Sequence, residues 1–367
     1  MTGRALWRRF KMHFDWVLLL VVVLICSIGL LNLYSATRYV TQSGLFGKQV
    51  MLMLVGLFLF FLMAVLDYRA WVRVAWLVLL IGTVAVVAVH FSGYAAKGSQ
   101  RWLGWQSARI QPSEFIKLAV IIALARLVHD SGSQEIPWSG ILLRVSALGV
   151  VVILIAWQPD LGTATLVGLI AVSVAVLASR RLWPFLVGIV LTAAAVPVMW
   201  SHLLADYQKK RILTFLDPQS DPSGAGWHAR QSIFAVGSGR LLGKGYMHGT
   251  QNQLNFLPEQ WTDFPFSVWA EEWGFLGVIV LLGLYLFLIL WMVHVASQAR
   301  DRFGAVLCVG VAALLFWHVF VNIAMVTGLA PVVGVTLPLV SYGGSSVLTV
   351  FLGLGLVASV SMRRFAR

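Results

Sequence analysis

Charge is the scarcest property of this sequence. Charged residues make up 11% of its 367 residues, roughly half the share of a soluble domain, whereas 59% are hydrophobic. Apolar runs of about 18 residues or more, long enough to cross a bilayer, recur along the whole length. The composition therefore excludes a soluble two-domain enzyme. It predicts an all-α, polytopic integral membrane protein with one membrane domain over residues 1–367.

Cysteine is also nearly absent, which argues against disulfide and zinc frameworks. The two cysteines, Cys26 and Cys308, lie in apolar runs without a CxxC neighbour, so we interpret them as packing residues. Acidic residues are few as well, and the net charge is +13. In a membrane protein, this charge indicates basic cytoplasmic loops and contact with the anionic lipids of the bilayer rather than with nucleic acid.

Ten candidate membrane spans follow one another along the chain. The eighth is long enough to require tilt or an extension beyond the bilayer. The short loops on one side carry basic residues, so both termini are predicted to be cytoplasmic, with a large extracytoplasmic loop, about 205–265, between helices 7 and 8. The predicted spans are Trp16–Tyr34, Gln49–Leu66, Trp71–His90, Ser113–His129, Ile141–Trp157, Leu161–Ala178, Trp183–His202, Phe266–His294, Gly304–Thr327 and Gly344–Met362.

The outer side defined by this orientation is rich in charges of both signs. Glu114 and Lys117 are three residues apart just after Pro112, so they share one helix face. Asp160 begins span six in the same way, after Pro159. Both helices start at the outer side, where helix N-termini and basic side chains favour an anion such as phosphate. The basic candidates for this anion are Arg101, Arg109, Lys117, Arg211 and Lys244.

These charged residues also have simpler structural interpretations, which stay open. Glu114 and Lys117 would form an ion pair that lets two charges lie near the membrane boundary. Asp160 would cap the N-terminus of span six. Glu271 and Glu272, in the first turns of span eight, are interpreted as cap and dipole partners rather than as catalytic groups.

Asp263 is the acidic residue that is hardest to explain as a solvated loop acid. It lies in the stretch 251–277, where aromatic residues and carboxylates crowd together before a long apolar run. Pro258 and Pro265 flank it, and proline fixes its own φ and restricts the residue before it. A carboxylate on a restricted backbone among bulky neighbours predicts a functional group at the mouth of a membrane helix.

Seven stretches between residues 97 and 346 match one protein family in the same order. The chain resembles the SEDS family (shape, elongation, division and sporulation) of peptidoglycan polymerases, most closely its elongation-specific branch. The resemblance covers essentially the whole membrane domain. The matching stretches are KGSQRWL, IQPSEFIKLA, QPDLGTA, RILTFLDP, GAGWHARQSIFAVGSGRLLGKGYMHGTQ, FLPEQWTDFPFSVWAEEWGFLG and PLVSYGGSS.

The resemblance implies ten transmembrane helices and glycosyltransferase activity on lipid II in the bacterial inner membrane, during cell elongation and shape maintenance. It makes Asp263, the acid of the TDF motif, the essential residue, and it assigns functional roles to Glu114, Lys117 and Asp160. Many relatives carry histidine where this chain has Trp261, so that histidine cannot be required here. The implied partners are a class B penicillin-binding protein, which is a transpeptidase, and other elongation-complex membrane proteins.

The implied reaction joins the C4 hydroxyl of one disaccharide to the anomeric carbon of another and expels undecaprenyl diphosphate. A sugar hydroxyl is a poor nucleophile at neutral pH, so a base is needed, and we hypothesise that Asp263 is this base. Glu114 and Asp160 would orient Lys117 or hold a divalent cation, Mg or Mn, and no other cofactor is expected. The predicted substrate-binding residues are Glu114, Lys117, Asp160, Arg101, Arg109, Arg211, Lys244, Glu259, Thr262 and Ser341.

Two other functions are compatible with parts of the sequence. A transporter that flips the lipid-linked precursor would also place charged residues near span ends. The densest cluster of polar residues lies on one outer side rather than at the midplane, which favours an enzyme. A scaffold without catalytic activity would leave the cluster around Asp263 unexplained.

Overall fold

Regular structure in the described part of the chain is mostly helical. The computed structural model describes residues 14–38, 44–92, 94–96, 99–104, 110–130, 149–158, 160–178, 201, 206–217, 221, 224–254, 256–257 and 259–364. A short antiparallel pair, β1 (Tyr94–Ala96) and β2 (Ser99–Trp102), is the sheet in these ranges. Residues 149–157 are helical. The other helices are α1 (Trp16–Arg38), α2 (Leu45–Val65), α3 (Ala70–Ser92), α4 (Pro112–Asp130), α5 (Leu161–Ala178), α6 (Asp206–Leu216), α7 (Ala225–Ser238), α8 (Thr250–Gln253), α9 (Pro265–Ser297), α10 (Arg302–Val326) and α11 (Gly344–Arg363).

Six of these helices are long and apolar enough to cross a membrane, namely α1, α2, α3, α9, α10 and α11. They coincide with predicted spans one to three and eight to ten, so the chain is a multi-pass membrane protein. Helix α4, residues 149–157 and α5 fall on predicted spans four to six. Nearly all of the seventh span, Trp183–His202, lies outside the described residues. The count of ten helices and the single domain therefore stay predictions.

The predicted outer loop, about 205–265, contains regular structure of its own. Helices α6, α7 and α8 all lie within it. Helix α7 packs against α9 and reaches α10. The buried Ser232 hydroxyl on α7 donates a hydrogen bond to the Val326 carbonyl at the end of α10, at 2.7 Å. The described helices of this part of the chain therefore include a folded layer, in which α7 packs against the helical bundle.

Helices α10 and α11 form the centre of the bundle. Helix α10 contacts α4, α5, α9 and α11, and α11 packs along α2. Small residues allow this close packing, because a Cβ atom on Gly355 would lie 2.6 Å from the Phe60 carbonyl oxygen of α2. Such close approach of backbones is a main source of helix association in membranes.

Helix α9 is interrupted at Gly274, where φ is 61° and ψ is −162°. The segment 239–245, which follows α7, docks onto this interruption. The Lys244 and Gly245 amides donate to carbonyls before the break, each at 3.0 Å. The Phe275 amide, just after it, donates to the Arg240 carbonyl at 2.9 Å. The segment thus replaces hydrogen bonds that a continuous helix would make, and glycine accommodates the positive φ.

The carboxylates beside this break are not cap partners, so that prediction is wrong. Helix α9 begins after Phe264, and its first turn contains no acidic residue. Glu271 is buried and pairs with Lys244, with 2.6 Å between Oε1 and Nζ. Glu272 is buried and accepts a hydrogen bond from the Ser35 hydroxyl of α1. Glu271 therefore faces the segment that follows α7, and Glu272 faces α1.

Asp301 connects the α9–α10 turn to the end of α2. It caps α10 by accepting from the Gly304 amide at 2.8 Å, and it accepts from the Tyr68 hydroxyl at 2.6 Å. Arg69 Nε lies 3.2 Å from the same carboxylate. Burial alone would raise the pKa of Asp301, but these hydrogen bonds and the Arg69 charge outweigh burial and lower its pKa. Asp301 is therefore negatively charged and links the N-terminus of α10 to the residues that follow α2.

Replacing Asp301 with alanine should lower the stability of the protein by about 1 kcal/mol or slightly more, the usual cost of losing an N-cap. Because the pKa of Asp301 is lower when folded, its stabilisation is present above the unfolded pKa and is lost as pH falls through the folded value. Thermal unfolding in detergent at neutral and acidic pH measures both effects.

Asp130→Ala is the matched control for this experiment. Asp130 pairs with Arg126 on the same helix at 2.7 Å, and its side chain is 42% exposed. Such pairs contribute about 0.3–0.5 kcal/mol. Equal losses of melting temperature in the two variants would contradict the role given to Asp301.

Candidate functional site

Asp263 lies in a tight turn directly before α9. The Glu259 carbonyl accepts hydrogen bonds from the amides of Thr262 at 3.1 Å and Asp263 at 3.0 Å. Glu259 itself has a positive φ of 51°, which few non-glycine residues adopt. The Thr262 hydroxyl donates to Glu259 Oε2 at 3.1 Å, which orients that carboxylate. Pro265 then lies in the first turn of α9, where a helix needs no donor from the backbone nitrogen.

Three separate parts of the fold hold this turn in place. From α10, the Asn322 amide donates to the Asp263 carbonyl at 3.0 Å. The second part is α1, whose Ala36 carbonyl accepts a hydrogen bond from the buried Gln260 side chain of the turn at 2.8 Å. The third part is the loop between α10 and α11, where the Tyr342 backbone amide donates to the Trp261 carbonyl at 2.7 Å. The backbone of Asp263 is thus fixed from several sides, and its side chain is half-buried.

The α10–α11 loop, residues 327–343, lies against the carboxylate of Asp263. Gly334 in this loop has a φ of 74°, and a Cβ atom built on it would lie 3.5 Å from Asp263 Oδ2. A larger residue at this position would be strained and would contact the carboxylate. The loop therefore forms one wall of the site.

A second polar cluster joins the motifs that begin α4 and α5. Asp160 Oδ1 accepts from the Thr163 amide at 3.3 Å, so Asp160 caps α5, which agrees with the simpler of its two interpretations. Its other oxygen accepts from the Gln111 side chain at 3.2 Å and from the Ser113 hydroxyl at 3.3 Å. The Gln111 amide donates to Ser345 Oγ at 2.9 Å, which ties the cluster to the start of α11.

Glu114 and Lys117 form the predicted ion pair, with 2.7 Å between Oε1 and Nζ. The pair is deep in the bundle, because Lys117 is only 1% exposed. A third residue joins it, since His318 Nε2 of α10 lies 2.8 Å from Lys117 Nζ. The pair thus connects α4 with α10, and in this structure the ammonium does not face solvent.

The remaining predicted site residues take different positions. The Ser341 hydroxyl is buried and accepts from the Leu337 amide at 2.7 Å, so it closes a turn of the α10–α11 loop. Lys244 is paired with Glu271 beside the break in α9. Arg211 lies half-buried on α6. Two predictions lie outside the described side chains, namely Arg101, whose backbone belongs to β2, and Arg109.

The carboxylates of the second cluster are occupied by hydrogen-bond donors. Glu114 Oε1 binds an ammonium group, and Asp160 accepts from a hydroxyl, an amide side chain and a backbone amide. Among the described residues, no group of three or more His, Cys, Asp or Glu side chains could hold a metal ion. The described residues therefore do not form a metal site of this kind, and the predicted divalent cation stays a prediction.

A histidine of α7 lies within electrostatic range of the turn that carries Asp263. Burial lowers the pKa of His228, and the negative charges of Asp221 and Glu259 oppose this shift without reversing it. His228 is therefore neutral at neutral pH. Burial also raises the pKa of Tyr342, so its phenol stays protonated.

Sequence reasoning missed three residues of the site: Asn322, Gly334 and His318. Asn322 and His318 lie within an apolar span, where single polar residues mark packing or function. Their spacing of four residues places them on one helix face, and this was the available signal. Gly334 has no comparable signal, because its role depends on a backbone conformation next to a distant carboxylate.

Comparison with known proteins gives consistent results over almost the whole chain. The profile of the cell cycle protein family FTSW_RODA_SPOVE matches residues 13–365. The chain is 41% identical over 356 residues to the peptidoglycan glycosyltransferase MrdB of Escherichia coli strain K12, which covers 96% of this chain and 95% of MrdB.

Two solved structures share the fold. One is a chain of a peptidoglycan synthase complex described as coordinating polymerization and crosslinking, with a TM-score of 0.82, 31% identity and coverage of 96% of this chain and 99% of that chain. The other is the rod shape determining protein RodA of Thermus thermophilus, with a TM-score of 0.73, 29% identity and coverage of 96% and 98%.

Replacing Tyr285 with phenylalanine tests how the α10–α11 loop is held. The buried Tyr285 hydroxyl of α9 donates to the Pro338 carbonyl at 2.5 Å. Without it, a buried carbonyl loses its donor, which costs about 1–3 kcal/mol. The thermal midpoint in detergent should fall clearly. Tyr34→Phe is the control, because Tyr34 is exposed on α1 and should change the midpoint little. Equal shifts would contradict this account of the loop.

Proposed function

We propose the chemistry of this site from one premise: the chain belongs to the FtsW, RodA and SpoVE family of cell cycle proteins. It is a peptidoglycan glycosyltransferase, the activity by which its relative MrdB is named. We infer that it polymerises lipid II into β-1,4 glycan strands during cell elongation and shape maintenance. The likeness to RodA, a rod shape determining protein, supports the elongation role.

Asp263 acts as the general base in this proposal. The C4 hydroxyl of the acceptor sugar attacks the anomeric carbon of the donor as the bond to undecaprenyl diphosphate breaks. An α-linked donor that becomes a β-linked product requires inversion by direct displacement. This requires one base and no covalent intermediate. Asp263 takes the proton of the attacking hydroxyl, and the leaving diphosphate carries away the bonding electron pair.

One observation supports this assignment above all. The Asp263 side chain is half-buried on a backbone that is held by α10, α1 and the α10–α11 loop. Such a carboxylate can meet a substrate in a defined geometry, and positioning is a large part of catalysis. The carboxylates of Glu114, Asp160 and Glu271 are buried instead and hold neighbouring segments together.

The diphosphate groups of the lipid-linked substrates are good leaving groups, so their departure is helped by nearby positive charge rather than by protonation. We assign this role to Arg101, Arg109 and Arg211, because guanidinium groups bind phosphate oxygens in bidentate fashion. Lys117 and Lys244 already neutralise buried glutamates, so we assign them to the architecture of the site. Glu259 and Thr262 shape the turn around the base, and Ser341 shapes the loop beside it.

We propose ten transmembrane helices in the bacterial inner membrane, with both termini cytoplasmic and the active site on the extracytoplasmic face. The folded layer formed by α6 to α8 then covers the outer end of the bundle. The likeness to a chain of a peptidoglycan synthase complex supports a class B penicillin-binding protein as partner. This transpeptidase and other elongation-complex membrane proteins would crosslink and organise the new strands.

Glycan formation from purified lipid II tests the base. Asp263→Asn keeps the shape of the side chain but cannot accept the proton as a carboxylate does, so the rate should fall by about 10²–10⁴-fold. Asp130→Asn is the control, because Asp130 is an exposed residue at the end of α4. Polymer length on a gel, with and without the transpeptidase partner, is the readout.

Near wild-type polymerisation by Asp263→Asn would show that another group is the base. If the wild-type protein makes no polymer even with its partner, the glycosyltransferase proposal fails, and a flippase assay with labelled lipid II in vesicles would follow. Translocation there, without polymer, would favour a transporter.

A further inference from the structure

A buried histidine completes the ion pair between α4 and the centre of the bundle. Lys117 Nζ lies 2.7 Å from Glu114 Oε1 and 2.8 Å from His318 Nε2. All three side chains are buried, and His318 is only 2% exposed. A buried histidine that contacts an ammonium group needs a specific protonation state, since two N–H donors facing each other would repel.

The hydrogen-bond partners of His318 determine this state. Its Nδ1 lies 2.7 Å from the Leu314 carbonyl oxygen, which can only accept. Nδ1 therefore carries the proton and donates. In the neutral ring Nε2 then has a free lone pair, and Lys117 donates to it. The imidazole is thus a neutral acceptor that fixes the position of the ammonium group relative to α10.

The same face of α10 also holds the proposed base. Asn322 follows His318 by four residues, so the two side chains lie one turn apart on one face. The buried Asn322 amide donates to the Asp263 carbonyl at 3.0 Å and to the Val335 carbonyl at 2.7 Å. The second bond positions the loop segment next to Gly334, which lies against the Asp263 carboxylate.

We propose that His318 and Asn322 are positioning residues for Asp263, and that α10 transmits the constraint from the buried Glu114–Lys117 pair to the catalytic turn. The contact of His318 with Lys117 fixes the rotation of α10 about its axis and its position along that axis relative to α4. Asn322 uses that orientation to hold the backbone of Asp263 and the loop beside its carboxylate. This inference rests on the proposed role of Asp263 as the base.

A pair of polar substitutions at position 318 tests the proposal. The side-chain amide of glutamine reaches the position of Nε2 and can accept from Lys117, whereas that of asparagine reaches only the position of Nδ1. We expect His318→Gln to stay close to wild type. His318→Asn should lower kcat for lipid II polymerisation by about 10²-fold, the effect of misplacing a catalytic group by about 1 Å. KM should change little, because substrate contacts are intact.

Asn322→Leu should lower kcat in the same way, because it keeps the number and branching of the side-chain heavy atoms and removes both N–H donors. If the two residues act along one path, the double variant His318→Asn with Asn322→Leu should lose less than the product of the two single effects. Independent, fully multiplicative losses would contradict the link through α10.

Trp317→Phe is the matched control. Trp317 precedes His318 on α10 and donates to the Ser173 hydroxyl of α5 at 2.9 Å, so this variant removes an interhelical hydrogen bond from another face. Its kcat should stay near wild type. A comparable loss of kcat would mean that any weakening of α10 packing reduces activity, and the specific role of His318 would be overturned.

The outcomes separate this inference from the base assignment. If Asp263→Asn is inactive but His318→Gln and His318→Asn behave alike, the base assignment is supported and the positioning role is wrong. A change in KM alone in His318→Asn would also overturn the positioning role, because it would indicate a substrate contact. If Asp263→Asn polymerises normally, the base assignment itself fails, whatever the variants at position 318 do.

Discussion

Irregular backbone buried inside a membrane bundle is the constraint on which the rest of this structure depends. In such a place water cannot satisfy amides and carbonyls, so side chains of the surrounding helices must do so. In the α10–α11 loop, Asn322, Tyr285 and Gln49 donate to the Val335, Pro338 and Ser341 carbonyls. These donors come from α10, α9 and α2, so the loop can adopt its shape only when the bundle is assembled around it.

This requirement explains why motifs far apart in sequence meet here. The motif before α4 binds the start of α11 through Gln111 and Ser345, and the turn before α9 binds the loop through Trp261 and Tyr342. Each contact satisfies a backbone group that would otherwise be costly to bury. Asp263 lies where these contacts converge. The contacts that satisfy buried backbone groups therefore also supply the rigidity that Asp263 needs in its proposed role as the base.

Local patterns in the sequence predict the parts of this structure that depend on neighbours along the chain. Hydropathy locates the membrane helices, and spacing identifies the Glu114–Lys117 pair and the Asp160 cap. The prediction for Glu271 and Glu272 is wrong because their partners come from a segment that returns to α9 from α7 and from α1. His318 and Asn322 were missed although their spacing of four residues was visible, because the partners that give them a role, Lys117, Asp263 and Val335, lie on other segments. The flanking prolines and the motif identified Asp263 as a candidate. They did not predict that α10, α1 and the α10–α11 loop hold its backbone.

The interruption of α9 at Gly274 has a mechanical consequence. The segment 239–245 is hydrogen-bonded to both sides of the break, and a Cβ atom on Gly243 would lie 2.1 Å from the Glu272 carbonyl oxygen. The segment 239–245 and the part of α9 around the break are therefore held together as one rigid unit. A tilt of this helix, whether caused by lipid thickness or by a neighbouring helix, would be passed directly to the segment 239–245 and to α7, which precedes it, without a flexible joint between them.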